Sequence, residues 1–159
     1  MGIIKPTLTL TANAASATTD AGPMSIALSL SATDSLDVKE VASKLVDISD
    51  THVAIWTAAD YFSSAADFGV DGAFMYFKNL LSENSPADLQ HDIIIGNANE
   101  DLDGAGETNR LFTLQPGEFA WMPWDLTMDI YADGGGISPS ESNAAALECW
   151  LFVRTTTVN

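Results

Sequence analysis

The stretch RLFTLQPGEFAWMPWDLTMDIYA, at Arg110–Ala132, predicts three short β-strands separated by two turns. Pro116 and Gly117 give the first turn signal, because proline fixes φ and glycine tolerates a positive φ. An aromatic run at Phe119–Trp124 follows this turn. Aromatic and β-branched residues bounded by turn residues are typical of strands. The stretch therefore indicates a fold built from strands, and it contains no catalytic pattern.

Further strands are predicted on both sides of this stretch from alternating or continuous apolar runs. Asp133–Ala144 is rich in glycine and serine and predicts a mobile loop. Ala146–Val153 is almost continuously apolar, which predicts a strand near the centre of a sheet. The other predicted strands are Pro6–Ala12, Met24–Thr33, Val53–Thr57, Ala73–Leu81 and Leu89–Gly96.

Two segments leave the choice of secondary structure open. Leu36–Ser49 places apolar residues at helical spacing, yet its second half is strand-like, and the all-β context favours a strand from about Ser43. Thr57 resembles a helix N-cap, whose hydroxyl would accept a hydrogen bond from a free backbone N–H. This pattern allows either a single helical turn through Tyr61 and Phe62 or a loop.

The predicted elements place the chain in the all-β class, with about eight or nine short antiparallel strands and little helix. Because the strands do not alternate with long helices, a β-sandwich of jelly-roll type is favoured, with a closed barrel as the alternative. All 159 residues are expected in one domain, which can bury its core without a disulfide or a metal. Residues 1–22 are a candidate for an extended N-terminal arm.

The charge balance excludes some classes of partner. The chain has 22 acidic and 6 basic residues, and its formal net charge is −16. Binding to nucleic acid or to an anionic membrane is not expected, because both require lysine and arginine. A strongly acidic surface also repels other copies of the same chain. Cys149 is the single cysteine, and its apolar neighbours predict an inert thiol in the core.

No arrangement of residues indicates an enzyme. The sequence lacks a G-x-S-x-G nucleophile motif and a phosphate-binding glycine loop. Its two histidines, His52 and His91, each stand at the start of a predicted strand, where exposure to solvent is expected. A metal enzyme would require both histidines and a carboxylate to meet in the fold. The chain is therefore expected to be non-enzymatic.

One group of residues is a candidate for sugar binding. Trp121, Trp124 and Tyr131 could offer aromatic faces to sugar rings, and Asp125 and Asp129 could accept hydrogen bonds from sugar hydroxyls. The alternative is that the tryptophans fill the core or an interface, as large aromatic residues commonly do.

One acidic loop partly matches a calcium-binding pattern. Asn99–Asp103 supplies side-chain oxygens at the first, third and fifth positions of the calcium loop, with Gly104 at the sixth. However, Arg110 stands at the twelfth position, where the pattern requires a bidentate glutamate. A solvated acidic loop is therefore expected, and no cofactor is predicted.

The second half of the chain resembles small structural proteins of tailed bacteriophages, in particular capsid decoration or cement proteins. The features that carry this resemblance are strand and turn residues. They are Leu114–Phe119, the turn at Pro123–Asp125, the strand at Asp129–Ala132, the closing strand at Leu147–Val153 and, upstream, Phe74–Asn79.

The resemblance implies a virion protein without catalytic residues that is made in the host cytoplasm and sits on the capsid exterior. It would bind on or between subunits of the major capsid protein, and it would self-associate, often as trimers. Aromatic residues in runs with few charges are candidate contact anchors. The candidate interface residues are Phe74, Tyr76, Phe77, Phe119, Trp121 and Trp124.

Overall fold

The computed structural model of this protein describes residues 2–4, 7–11, 27–31, 36–49, 51–61, 72–81, 91–103, 108–135 and 145–154. These residues form eleven β-strands and one helical turn. The strands are β1 (Gly2–Ile4), β2 (Thr7–Thr11), β3 (Ala27–Ser31), β4 (Leu36–Ile48), β5 (Val53–Trp56), β6 (Ala73–Asn79), β7 (Asp92–Gly96), β8 (Arg110–Leu114), β9 (Phe119–Trp124), β10 (Ile130–Gly135) and β11 (Ala145–Arg154), and the helix is α1 (Ala58–Tyr61).

Two antiparallel sheets form a sandwich. The five-stranded sheet has the order β1-β4-β11-β6-β9, and the four-stranded sheet has the order β5-β10-β7-β8. Strands β2 and β3 form a separate two-stranded sheet. The prediction of an all-β sandwich with little helix is confirmed, and β11 lies at the centre of its sheet as expected.

The path of the chain between the two sheets follows a regular order. Counted from β4 as the first of eight strands, one sheet reads 1-8-3-6 and the other reads 2-7-4-5. Most successive strands therefore cross from one sheet to the other. This strand order is compatible with a jelly roll, in which two Greek keys build a double sheet.

The core lies between the two sheets and follows from alternation along the strands. In β6 and β11 every second residue is buried, because successive side chains of a strand point to opposite faces. Phe77 of one sheet contacts Phe112 of the other, with 6.0 Å between ring centroids. Cys149 is fully buried, and this burial raises the pKa of its thiol to about 12. The prediction of a buried cysteine in the core is confirmed.

The three strands predicted within Arg110–Ala132 are confirmed as β8, β9 and β10. Gly117 has a φ of +82° in the first turn, as the Pro-Gly signal predicts. The strands are not neighbours, however, because β9 pairs with β6 in one sheet while β8 and β10 pair with β7 in the other. Pro123 is accommodated because β9 is an edge strand, where a missing backbone donor is tolerated.

Two sequence-based interpretations are wrong, and a third needs a new boundary. The strand favoured from about Ser43 is confirmed but begins at Leu36, and its pairing with β11 excludes the helical alternative. Asp133 belongs to β10 rather than to a loop, and the loop expected from Gly136 onward lies outside the described residues. His91 is only 8% exposed, so it is not a solvent-facing residue. In the expected arm, β1 joins the edge of the five-stranded sheet by pairing with β4.

The single helical turn α1 is confirmed, but its cap comes from a distant residue. The Oδ1 atom of Asp129 accepts a hydrogen bond from the backbone N–H of Ala58 at 2.8 Å. A carboxylate at the start of a helix satisfies a free backbone donor. The capping side chain is therefore 71 residues away in sequence, and Thr57 contributes its backbone carbonyl, which accepts a hydrogen bond from the Asp60 N–H at 3.1 Å.

Candidate functional site

The outward side chains of β4, β11, β6 and β9 form a surface that we call the aromatic face. Because strand side chains alternate, the register of the sheet arranges these outward residues in rows. In the central row, Trp150 lies between Ser43 and Tyr76, and Tyr76 lies opposite Trp121. The flanking rows are Val41, Phe152, Phe74 and Pro123 on one side, and Leu45, Glu148, Lys78 and Phe119 on the other.

The aromatic face exposes more large apolar side chains than the rest of the described surface. Leu45 is 66% exposed, Phe119 57% and Val41 51%. Trp121 and Trp150 are also more than one third exposed. Single apolar side chains on a surface are common, but a contiguous group of this kind marks a site of interaction.

Ring stacking orders the aromatic face. Phe74 stacks on Trp121 with centroids 5.5 Å apart and an interplanar angle of 15°. Tyr76 stacks on Phe119 at 6.1 Å. The rings of Trp150 and Phe152 are nearly parallel as well. These contacts fix the rings before any partner binds, which reduces the entropy lost on association.

The aromatic face is electrically neutral although the whole chain carries a net charge of −16. The charged side chains described on the outward positions of these strands are two acids, Asp47 and Glu148, and two bases, Lys78 and Arg154. Glu148 Oε1 accepts a hydrogen bond from Trp150 Nε1 at 2.9 Å. Such a surface has the composition of a protein interface, in which few charges accompany aromatic residues.

Burial and a neighbouring charge both shift the pKa of Tyr76, the one tyrosine described on the aromatic face. Partial burial raises the pKa of Tyr76, and the neighbouring Glu148 carboxylate raises it further. Tyr76 therefore stays protonated at neutral pH and remains a hydrogen-bond donor at the centre of the face.

The structure divides the predicted interface residues between two environments. Phe74, Tyr76, Phe119 and Trp121 lie on the aromatic face, as expected for contact anchors. Phe77 is fully buried in the core. The sixth residue, Trp124, is 3% exposed and also lies in the core. These two cannot touch a partner, because alternation along β6 and β9 turns them inward.

Other residues of the aromatic face were not predicted. Trp150 and Phe152 lie in an apolar run that was interpreted only as a central strand, with no outward face assigned. The sequence did contain a usable signal. The charged residues Glu148 and Arg154 lie at the same two-residue spacing as Trp150 and Phe152, which indicates that all four side chains point to one exposed face. Val41 and Leu45 of β4 were not predicted to be exposed, because the choice between helix and strand was left open for this segment.

The three aromatic residues proposed as a sugar platform do not come together. Trp121 lies on the aromatic face, whereas Trp124 is in the core and donates its Nε1–H to the carbonyl of Met128 at 3.0 Å. Tyr131 lies in the other sheet, where its ring meets His52 edge-on at 6.3 Å. That platform is therefore contradicted by the structure.

The two carboxylates of the sugar hypothesis have local structural roles instead. Asp125 Oδ1 accepts hydrogen bonds from the backbone N–H and the hydroxyl of Thr127, and these bonds lower the pKa of Asp125. They hold a turn in which Leu126 takes a positive φ of 65° and is buried. Asp129 caps α1, as described above.

The histidines do not form a metal centre with a third ligand. His52 packs against Tyr131, and the backbone carbonyl of His91 accepts a hydrogen bond from Asn79 Nδ2 at 3.0 Å. Within the described ranges, no group of three or more His, Cys, Asp or Glu residues could hold a metal ion.

The acidic loop after β7 is anchored to the four-stranded sheet by Leu102. This side chain is fully buried, and its backbone N–H donates to Asp133 Oδ2 at 2.8 Å. The Leu102 carbonyl accepts a hydrogen bond from Arg110 Nε. Glu100 accepts one from the Asn109 side chain, and Asp101 accepts one from the Asp103 backbone. Part of the candidate calcium loop, residues 104–107, lies outside the described residues.

Asp133 is a buried carboxyl that is expected to make stability depend on pH. Burial raises the pKa of this carboxyl, hydrogen bonds from Leu102 and Gly134 act in the opposite direction, and the charges of Asp101 and Asp103 raise the pKa further. A pKa that is higher in the folded chain favours folding at low pH, and this contribution is lost as pH rises through the folded value. We expect the stability of wild type relative to Asp133→Asn to fall as pH rises above about 3.9, the ordinary pKa of an aspartate, toward the higher pKa of the folded chain.

Urea unfolding of both proteins at several pH values measures this difference. The substitution also removes one acceptor oxygen, which shifts the whole curve by an amount that does not depend on pH. Two parallel curves of stability against pH would show that Asp133 does not titrate abnormally.

The comparisons with known proteins do not assign a function. No known protein family, curated protein or solved structure matches this chain. In the part of the chain that the structure describes, no helix is long and apolar enough to cross a membrane.

Proposed function

We propose that this protein is a non-enzymatic structural protein of a bacteriophage virion, which decorates or cements the capsid by binding on or between major capsid protein subunits. One observation carries the proposal: a strongly acidic β-sandwich exposes one neutral, preorganised aromatic face. Contiguous apolar patches on soluble domains mark contact with other proteins. The jelly-roll order of the strands is compatible, because viral capsid domains use this architecture, although lectins and cupins do as well.

A cement protein would act through the number of its copies. Each contact contributes a modest free energy, and many contacts that bridge subunits raise the barrier to disassembly of the shell. The acidic remainder of the chain faces solvent on the capsid exterior and keeps the protein soluble in the host cytoplasm before assembly. No cofactor takes part in this role.

The alternative is a carbohydrate- or receptor-binding module of a tail or fibre. Such a module stacks sugar rings on aromatic faces that are open to solvent. On the aromatic face, Phe74 and Trp121 each cover one ring face of the other, as do Tyr76 and Phe119. Mutual stacking of this kind suits a protein interface better than a sugar platform.

Quantitative mass spectrometry of purified particles from the source phage tests the proposed function. The copy number of this protein is measured against the major capsid protein. A near-stoichiometric ratio supports decoration of the shell. A few copies per particle would favour the tail module, and complete absence would contradict a virion role.

Substitutions on the aromatic face are expected to reduce occupancy on the capsid without unfolding the protein. Leu45→Lys places a charge at a position that is 66% exposed, so stability should change by less than about 0.5 kcal/mol. Loss of an apolar anchor and burial of a lysine should weaken binding at least tenfold, which is about 1.4 kcal/mol. Co-sedimentation with capsids that lack the protein measures binding, and the thermal midpoint measures stability.

Thr113→Lys provides the matched control, because Thr113 is exposed on β8 in the other sheet. This variant carries the same added charge away from the aromatic face. Equal losses of binding for Leu45→Lys and Thr113→Lys would show that added charge, rather than the aromatic face, determines occupancy.

A further inference from the structure

We infer that a second copy of this chain covers the aromatic face and that the two copies form a two-fold dimer. This inference rests on the proposed function to the extent that both treat the aromatic face as a protein contact. It adds the identity of the partner, the position of the symmetry axis and the residues that face each other.

The register of the five-stranded sheet makes the aromatic face complementary to itself. A two-fold contact brings the same patch of both copies together, so each residue must suit the residue related to it by the axis. An axis parallel to the strands, between β11 and β6, places β11 over β6 of the partner. Glu148 and Lys78 are direct neighbours across these strands. Glu148 then faces the partner's Lys78, and Lys78 faces the partner's Glu148.

The same axis matches the apolar residues of the outer strands, because it also places β4 over β9 of the partner. Packed sheets lie about 10 Å apart, and their strands cross at no more than about 30°. At such a small angle, residues close to the axis still face their partner residues. The facing pairs are Trp150 with the partner's Tyr76, Phe152 with the partner's Phe74, Leu45 with the partner's Phe119, and Val41 with the partner's Pro123.

Charge favours a second copy over a basic partner. A basic protein would gain most from the acidic surfaces of this chain and least from its neutral aromatic face. Two copies with net charges of −16 repel each other at long range, and a neutral contact surface adds no further repulsion at short range. Added salt screens the long-range repulsion, so the dimer should become tighter as ionic strength increases. Binding to a basic partner would become weaker.

The size of the aromatic face predicts a weak dimer. Four strands spaced by about 4.8 Å and some six residues of length give a flat area of roughly 19 Å by 20 Å. This is about half of the roughly 800 Å² that each partner buries in a standard interface. We therefore expect a dissociation constant in the micromolar range. The dimer and the proposed capsid contact use the same face, so the weak dimer is a form of the free protein that dissociates when a copy binds the shell.

Charge reversal at Lys78 and Glu148 tests the dimer. Lys78→Glu places two glutamates opposite each other at each contact, and Glu148→Lys places two lysines there. Each variant alone should dimerise at least tenfold more weakly than wild type. An equimolar mixture of the two variants should form a heterodimer, because every contact then joins a glutamate and a lysine. Sedimentation velocity over a range of protein and salt concentrations measures all three samples.

The outcomes separate this inference from the proposed function. A mixture of the variants that associates no better than either alone would overturn the axis, as would a wild-type trimer. A wild-type monomer at all concentrations that still binds capsids would overturn the dimer and leave the capsid role intact. A dimer that fails to bind capsids would leave the dimer intact and contradict the capsid role. Unchanged thermal midpoints show that the variants are folded.

Discussion

Replacement of Asn79 by alanine is expected to lower the free energy of unfolding by about 3–5 kcal/mol, because it removes the side-chain partner of two buried carbonyls and one part-buried N–H. Asn79 is fully buried at the end of β6. Its Nδ2 donates to the carbonyls of His91 at 3.0 Å and Leu114 at 3.1 Å, and its Oδ1 accepts from the N–H of Leu81 at 3.1 Å. The side chain thereby joins the end of β6 in one sheet to the start of β7 and the end of β8 in the other.

Urea denaturation monitored by tryptophan fluorescence measures the effect of Asn79→Ala. Asn97→Ala is the matched control, because Asn97 Oδ1 is buried without a hydrogen-bond partner in the described structure. Removing that amide should change stability by less than about 1 kcal/mol. A similarly small change for Asn79→Ala would show that water replaces the lost hydrogen bonds and that Asn79 does not join the sheets.

The role of Asn79 could not be predicted from the sequence, because its partners lie 12 and 35 residues further along the chain. In sequence it is only the polar residue that ends a strand. The strands themselves were predictable, since alternation and turn residues are local signals. Which strands become neighbours depends on contacts between distant residues, and for this reason the separation of β8 from β9 was not foreseen.

The misleading helical pattern in β4 has a physical reason. Val41 and Leu45 point outward to the aromatic face, whereas Ile48 points into the core. Apolar residues on both faces of a strand can reproduce the spacing of a helix. The same difficulty explains Phe77 and Trp124, which were grouped with exposed neighbours because each aromatic run was treated as a unit. An alternating assignment of faces along β6 and β9 separates them.

Replacement of Gly96 by alanine is expected to destabilise the protein by about 2–3 kcal/mol through overpacking. A Cβ atom at this position would lie 2.6 Å and 2.7 Å from the two Cδ atoms of Leu102 and 2.8 Å from the carbonyl oxygen of Asn109. Neither neighbour can move easily. The Leu102 N–H is held by Asp133 at 2.8 Å, and the Asn109 carbonyl accepts a hydrogen bond from the backbone of Asn97.

Gly72→Ala separates this clash from the general effect of an added methyl group. The nearest atom to a Cβ at Gly72 is the Trp124 carbonyl oxygen at 3.4 Å, an ordinary contact, so the effect should stay within about 0.5 kcal/mol. A double-mutant cycle then identifies the partner in the clash. Leu102→Ala removes both Cδ atoms, so it should destabilise Gly96→Ala less than it destabilises wild type, with a coupling energy of about 1 kcal/mol or more. Strict additivity would assign the effect to the backbone contact with Asn109 alone.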